Sequence, residues 1–264
     1  MGSINADRSL KPFLRFLLEY PPEDLSNEMN KESRWPKKLP ILTPEQQAIR
    51  EDFMRFWLEI LPENYSIIER FNHRYVLSKN LPSPCRTLEI GAGVGAHLAY
   101  EDLSSQEYTA LELRQELAHK ICLKYPGAHV LIGDVQQHID APDGWYDRII
   151  AIHVLEHLPN LPAAIKEIKR VIKSDGNISI MIPCEGGMGY KIARNISAKR
   201  LFKKRYACSY DWLVKSEHVN NAWELLEECR RNFKVVDKTF WPLKIPSIHL
   251  NLVIGITCKP GNIL

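Results

Sequence analysis

An apolar strand that runs directly into alternate glycines constrains this chain more than any other feature. Residues 86–95 read Arg-Thr-Leu-Glu-Ile-Gly-Ala-Gly-Val-Gly. Leu88, Glu89 and Ile90 close the strand, and glycine stands at 91, 93 and 95. Glycine reaches positive φ with no Cβ to collide, so such a loop turns sharply and lets its backbone approach a small ligand. Apolar runs predict strands near 86–90, 107–111, 128–132, 147–152 and 177–182. The stretches between them carry helical spacing, the signature of parallel strands joined by crossover helices. In the clearest crossover Ile165, Ile168 and Ile172 line one face and Lys166, Lys169, Arg170 and Lys173 the other, with Gly176 suited to the C′ position beyond it. An open sheet of this kind gathers ligands outside the carboxyl ends of its strands. There the chain sets Gly91, Glu112, Asp134, His153 and Cys184, one after each strand.

The flanks read differently. Residues 1–85 predict a helical appendage: a short apolar piece at Lys11–Tyr20, then a helix opening at Thr43-Pro44-Glu45-Gln46, with threonine as N-cap, proline at N1 and glutamine reaching back from N3. Ile49, Phe53, Phe56, Trp57 and Ile60 give that helix one apolar face. Pro62 is expected to end it, and Tyr65–Ser78 to form another. The appendage reads as a packing element, a lid over the ligand pocket or a dimer contact. Residues 86–264 form the main domain, with a basic insert at about 184–215. A helix is expected from Ser216 through Trp223, Leu226 and Cys229 to about Phe233, then strands near Phe233–Trp241 and Asn251–Cys258.

Composition excludes several classes. Of 264 residues, 45% are hydrophobic and 25% charged, values of a globular chain. A net charge of +3 is too small by itself to imply a nucleic-acid binder. The cysteines at 85, 122, 184, 208, 229 and 258 never form C-x-x-C, so neither a metal cluster nor a disulfide framework is expected. With no signal-like N-terminus and no apolar run of ~18 residues, a cytoplasmic protein is expected.

The glycine loop with Glu89, the acids at Glu112 and Asp134, and the segment His153-Val154-Leu155-Glu156-His157-Leu158 resemble the class I S-adenosylmethionine-dependent methyltransferases, most nearly the small-molecule branch called type 11. The resemblance implies a doubly wound α/β sheet of seven mostly parallel strands, the last inserted antiparallel. It implies that Glu112 accepts hydrogen bonds from ribose hydroxyls beside Leu113. Asp134 and the backbone of Val135 would meet adenine. Glu89, Gly91, Ala92, Gly93 and Gly95 would face the methionine portion, and His153 would border the cofactor. Two other readings stay open. Gly91-x-Gly93-x-x-Ala96 with Glu112 also fits the dinucleotide fingerprint of an NAD(P)-dependent oxidoreductase, although that motif has no use for Glu89. A methyltransferase-like binding subunit that has lost transfer is the non-enzymatic reading.

If the acceptor is a hydroxyl, a base near the transfer point removes its proton. The candidates are His153, then His157 one helical turn on, and His218, which with Glu217 would open the last helix. Lys191, Arg194, Lys199, Arg200, Lys203, Lys204 and Arg205 crowd the insert, with Ile192, Ile196, Leu201 and Phe202 between them. This stretch reads as a solvated helix face, or as a site for an anionic small-molecule acceptor, such as a phosphorylated or lipid-linked sugar, or as a contact with anionic membrane. Lys199, Arg200, Lys203, Lys204, Arg205 and Glu217 are the substrate-binding candidates. Ala151-Ile152-His153-Val154 stands where base-amine methyltransferases carry Asn/Asp-Pro-Pro-aromatic, so no nucleic-acid partner is expected. A homodimer is allowed.

Overall fold

The computed structural model describes residues 35–64, 66–77 and 84–261; the apolar piece Lys11–Tyr20 lies outside them. Seven strands form one sheet: β1 (Cys85–Ile90), β2 (Gln106–Glu112), β3 (His129–Ile132), β4 (Tyr146–Ile152), β5 (Ile172–Pro183), β6 (Phe233–Trp241) and β7 (Val253–Pro260). Their order is β3-β2-β1-β4-β5-β7-β6. The first five are parallel, and β7 lies antiparallel between β5 and β6. The order reverses between β1 and β4, the switch point where such sheets open a crevice.

Alternation along the strands divides the core. Ile149, Ala151, Ile178, Ile180 and Ile182 pack with α4 (Leu161–Val171) and α8 (Ala222–Asn232), through Ile165, Ile168, Leu225 and Cys229. Ile150, Met181 and Val253 look the other way, onto Val76 of α2 (Ser66–Val76). On that side Tyr108 and Ala110 meet Ile121 of α3 (Gln115–Lys124).

The N-terminal helix α1 (Pro44–Asn64) begins with the expected reciprocal cap: the Gln46 N–H donates to Thr43 Oγ1 over 3.2 Å, and the Thr43 N–H to Gln46 Oε1 over 2.9 Å. It does not stop at Pro62. It runs on to Asn64, so the proline falls in its last turn. The insert folds as α5 (Met188–Ile196), α6 (Ala198–Arg205) and α7 (Asp211–Glu217). Phe53 of α1 packs with Ala198, Phe202, Tyr210 and Leu213 in a small separate core. Its ring stands edge-on to Phe202 at 5.1 Å. Burying each such ring contributes roughly 1.5–3 kcal/mol. α1 and the insert thus form one cap, although Asp52 and its partner Arg205 lie 153 residues apart.

Two local expectations are corrected. Gly176 is not a helix C′ residue: α4 ends at Val171 and β5 starts at Ile172. A Cβ at Gly176 would meet Ile172 Cδ1 at 2.7 Å and the Asp147 carbonyl at 3.0 Å, so close strand packing demands the glycine. The last helix starts at Ala222, not Ser216. Asn221 forms a full capping box with Glu224, a stronger start than Ser216 offers. Glu217 therefore closes α7, and His218 sits between two helices.

Candidate active site

The β1–β3 side of the carboxyl edge is built from backbone. Gly91, Gly93 and Gly95 have φ of +67°, +58° and +74°. A Cβ at Gly91 would strike Val154 Cγ2 at 2.6 Å, and one at Gly95 the Tyr125 ring at 3.0 Å; one at Gly93 would meet nothing within 4 Å among the described residues. Packing therefore requires the outer glycines, and the middle one leaves a cradle above its backbone. Ala92 holds the loop from inside: its N–H donates to the Leu111 carbonyl and its own carbonyl accepts from Gly95. Glu112 is buried. Its Oε2 accepts the Gly93 N–H at 2.8 Å, and its Oε1 accepts the Arg114 N–H and Nε at 3.0 and 3.1 Å. With about two acceptor sites per oxygen, Oε2 keeps one to offer. Leu113 beside it is exposed. Asp134 takes the Gln136 N–H at 2.9 Å and its side-chain amide, so it caps a turn, with Val135 buried behind it. Glu89 is buried with the Tyr108 hydroxyl donating at 2.9 Å. Burial pushes its carboxyl up to about 8 against that hydrogen bond, with the charges of Glu101 and Glu112 adding to the rise.

The β4–β5 side is built from side chains. His153 leaves β4 at φ +51°, a costly conformation for a non-glycine residue and one that collects at functional sites. The following turn holds Glu156, fully buried, with Oε1 at 3.4 Å from His153 Nδ1 and 3.8 Å from His157 Nε2. Among the described residues its Oε2 has no hydrogen-bond partner. Burial alone would raise this carboxyl; the hydrogen bond from His153 and the charges of the nearby histidines hold it below the ordinary range. His157 donates from Nδ1 to the Glu217 carbonyl at 2.6 Å, and burial lowers its pKa. The His218 ring stands perpendicular to that of His157 at 5.2 Å. Its Nδ1 is 2.8 Å from Glu185 Oε2. Burial would raise Glu185 too, but the bond from His218 and the charges of His218 and Arg194 keep it low. An ionised carboxylate only accepts, so Nδ1 donates, and in the neutral ring Nε2 carries the lone pair. Asn220 clamps the assembly: it is fully buried and donates to the Leu155 and Leu158 carbonyls at 2.8 Å, while the N–H groups of Val219 and Asn220 reach the Glu156 carbonyl.

The sequence pattern of the methyltransferase-domain family matches residues 57–238. The chain belongs to that family. It is a class I methyltransferase, with S-adenosylmethionine as the family's methyl donor. Its fold is similar to that of a TehB-like S-adenosylmethionine-dependent methyltransferase from Corynebacterium glutamicum: 15% identity, 81% of this chain and 100% of that one covered, TM-score 0.53. It is also similar to a possible histamine N-methyltransferase from Thermotoga maritima: 18% identity, 80% and 98% covered, TM-score 0.53. The cyclase SpnF shares the fold as well, at 16% identity, 86% and 100% covered and TM-score 0.58. No curated protein matches the chain's sequence.

For this methyltransferase, Cys184 proves to be core rather than site. Ile178, Ile180, Ile182 and Cys184 share one parity and one buried cluster, and burial pushes the Cys184 thiol up to about 12. Its neighbour Glu185 is the residue that the edge offers, and the alternation in the sequence already carried that signal. Glu156 and Arg194 stood in the motif and the basic insert without a site role of their own, while Arg50 and Asn220 escaped the sequence reading because each acts through a partner distant in the chain. Glu217, a substrate-binding candidate, is held by Arg50 of α1 and lies 3.8 Å from His157. Among the basic candidates, Arg205 is tied to Asp52 and Tyr206, and Lys199 to Asp211. Arg200 and Lys204 make no ion pair among the described residues. Lys199, Arg200, Lys203 and Lys204 line an open groove of about 620 Å³ with Asn195 and Ile196, and none of the cofactor candidates lines it.

Proposed function

We propose that this methyltransferase acts on a hydroxyl of a small acceptor carrying negative charge, with His218 as the base. The observation that carries the proposal is the His218–Glu185 pair. A carboxylate on Nδ1 fixes the tautomer, leaves Nε2 as the proton acceptor and stabilises the imidazolium that forms. Glu185 is itself held by Arg194, and Asn220, two residues beyond His218, pins the chain there to the turn after β4. His157 is a weaker candidate because its Nδ1 partner is a neutral carbonyl, which stabilises an imidazolium less than a carboxylate does, and burial disfavours its charged form. His153 stands closer to the cofactor side.

The residues fit the cofactor. The cradle over Gly93 would take its methionine portion, and buried Glu89, whose one hydrogen-bond donor among the described residues is neutral, suits a cationic amino group. Glu112 Oε2 has room for one ribose hydroxyl; turning the exposed Arg114 aside would open Oε1 for a second. Leu113 offers an apolar face to adenine. S-adenosylmethionine, when bound, supplies a methyl group on a sulfonium that an oxygen nucleophile takes by in-line displacement. The protein's part is to align that oxygen within ~3–3.5 Å, keep water out and accept the proton. The basic insert favours an anionic acceptor, such as a phosphorylated or lipid-linked sugar.

Calorimetric titration with S-adenosylmethionine, S-adenosylhomocysteine and NADH, repeated on Glu112→Ala, tests the cofactor half. Binding of both adenosyl ligands and not NADH is expected, weakened roughly hundredfold in the variant, at about 1.5–3 kcal/mol per hydrogen bond to a charged group. Transfer of labelled methyl to a panel of hydroxyl and amine acceptors tests the rest. Preference for amines would overturn the O-methylation reading, and adenosyl binding with no transfer to any acceptor would favour the non-catalytic one.

A further inference from the structure

We propose that α5 and α6 form a docking surface for an anionic lipid bilayer, which goes beyond the acceptor reading and does not depend on which atom is methylated. α5 has two faces. Tyr190 and Arg194, one turn apart, look inward: the Tyr190 ring lies 6.3 Å from His218, and Arg194 pairs with Glu185. Met188, Ile192 and Ile196 repeat every four residues on the other side and are 58%, 58% and 70% exposed; no residue of α5 is fully buried. Single exposed apolar residues are ordinary, but an aligned stripe marks an interaction face. At its end Ile196 joins Lys199, Arg200, Lys203 and Lys204 around the groove of about 620 Å³. No acid occurs between Glu185 and Asp211.

Charge complementarity selects the occupant. A free anion would satisfy the cations and leave the stripe in water. A second copy of this chain would bring one basic face against another. An anionic bilayer meets both needs, with apolar side chains entering the acyl boundary and cations resting on the headgroups. Since the inner face of α5 walls the histidine cluster, a docked bilayer would lie about one helix diameter, ~10–12 Å, from His218.

Flotation of the full chain with phosphatidylcholine vesicles, with and without about 30 mol% phosphatidylglycerol, tests the docking. Binding to the anionic vesicles alone, falling with salt, is expected. Lys203→Gln with Lys204→Gln should weaken it roughly 25-fold, at about fivefold per cation. Ile192→Asp with Ile196→Asp should weaken it at least about tenfold. Both pairs are exposed, so each double variant should keep the parent's affinity for S-adenosylhomocysteine, which reports a folded chain. Three results would overturn the proposal: equal binding to neutral vesicles, inorganic phosphate competing as strongly as vesicles do, or self-association abolished by the isoleucine changes. Cofactor binding and methyl transfer are read without vesicles, so failure of docking and failure of the hydroxyl reading are separable.

Discussion

On the β1–β3 side of the sheet edge, the candidate groups are backbone atoms and acids that lie within two residues of their strands' ends. On the β4–β5 side they are side chains gathered from β4's turn, the start of the insert, the α7–α8 junction and the N-terminal helix. The first side is a local structure; the second exists only when the cap is seated. Glu112 reaches Gly93 across one strand pairing, whereas Arg50 reaches Glu217 across 167 residues. A fold divided in this way keeps one ligand site constant while the other is remodelled by loops, since loops vary freely on a fixed scaffold.

The largest test of that division is His218→Ala. It should lower kcat by about 10²–10⁴-fold, the range of general-base catalysis, with adenosyl-ligand affinity unchanged. His157→Ala should cost no more than roughly tenfold, because its Nδ1 partner is a neutral carbonyl and burial disfavours the imidazolium. Equal losses in the two variants would mean that the histidines act as a unit and that the Glu185 pair does not single one out.

The same division explains what the sequence made legible. Seven strands, their parallel run and the inserted antiparallel one followed from apolar periodicity joined to a family resemblance, because each strand is a local pattern. The residues proposed for the cofactor stand out for the same reason: Gly91, Glu112 and Asp134 are each announced by the strand before them. Glu185 was announced too, by the parity that sends Ile178, Ile180, Ile182 and Cys184 into the core, but a thiol at the strand end drew the reading instead. Nothing local marks Arg50 or Asn220. Their roles arise from tertiary contacts, and a helix such as α1 shows its apolar face without showing what covers it.

The two halves are joined beneath the edge by Arg148 of β4, and breaking that joint should come next in size. Arg148 is buried and donates to Glu101 at 2.8 and 3.1 Å and to the Val76 carbonyl of α2 at 2.6 Å. Burial would raise the Glu101 carboxyl, but hydrogen bonds from His97 and Arg148 and the charge of Arg148 bring it down to about 2, against an ordinary value of 4.5. A carboxyl lowered by folding stabilises the folded state above its ordinary pKa, and that contribution fades as pH falls from about 4.5 toward 2. Thermal unfolding across that window should show the loss. Glu101→Gln should flatten this part of the profile and cost about 3–5 kcal/mol at pH 7, since Arg148 is left buried without its charge partner. An unchanged acid limb would show that other carboxyls govern it.

Phe53→Ala should have the smallest effect on global unfolding and the sharpest effect on the division itself. Phe53 belongs to the cap core with Phe202, Tyr210 and Leu213, and shares no buried cluster with the sheet. Truncating a buried phenylalanine costs about 3–5 kcal/mol locally. If the cap is a separate cooperative unit, that loss loosens α1 from α6 and α7 and leaves the sheet's transition nearly where it was. Limited proteolysis should then cut within 184–215 faster than in the parent, and the acceptor's KM should rise while affinity for S-adenosylhomocysteine stays within about twofold. A matching fall in adenosyl-ligand affinity would sink the idea of two independently built halves. It would mean that the cap orders the glycine loop as well, with the contact of Gly91 against Val154 as the route, since Val154 lies in the turn that His157 and Asn220 tie to the α7–α8 junction.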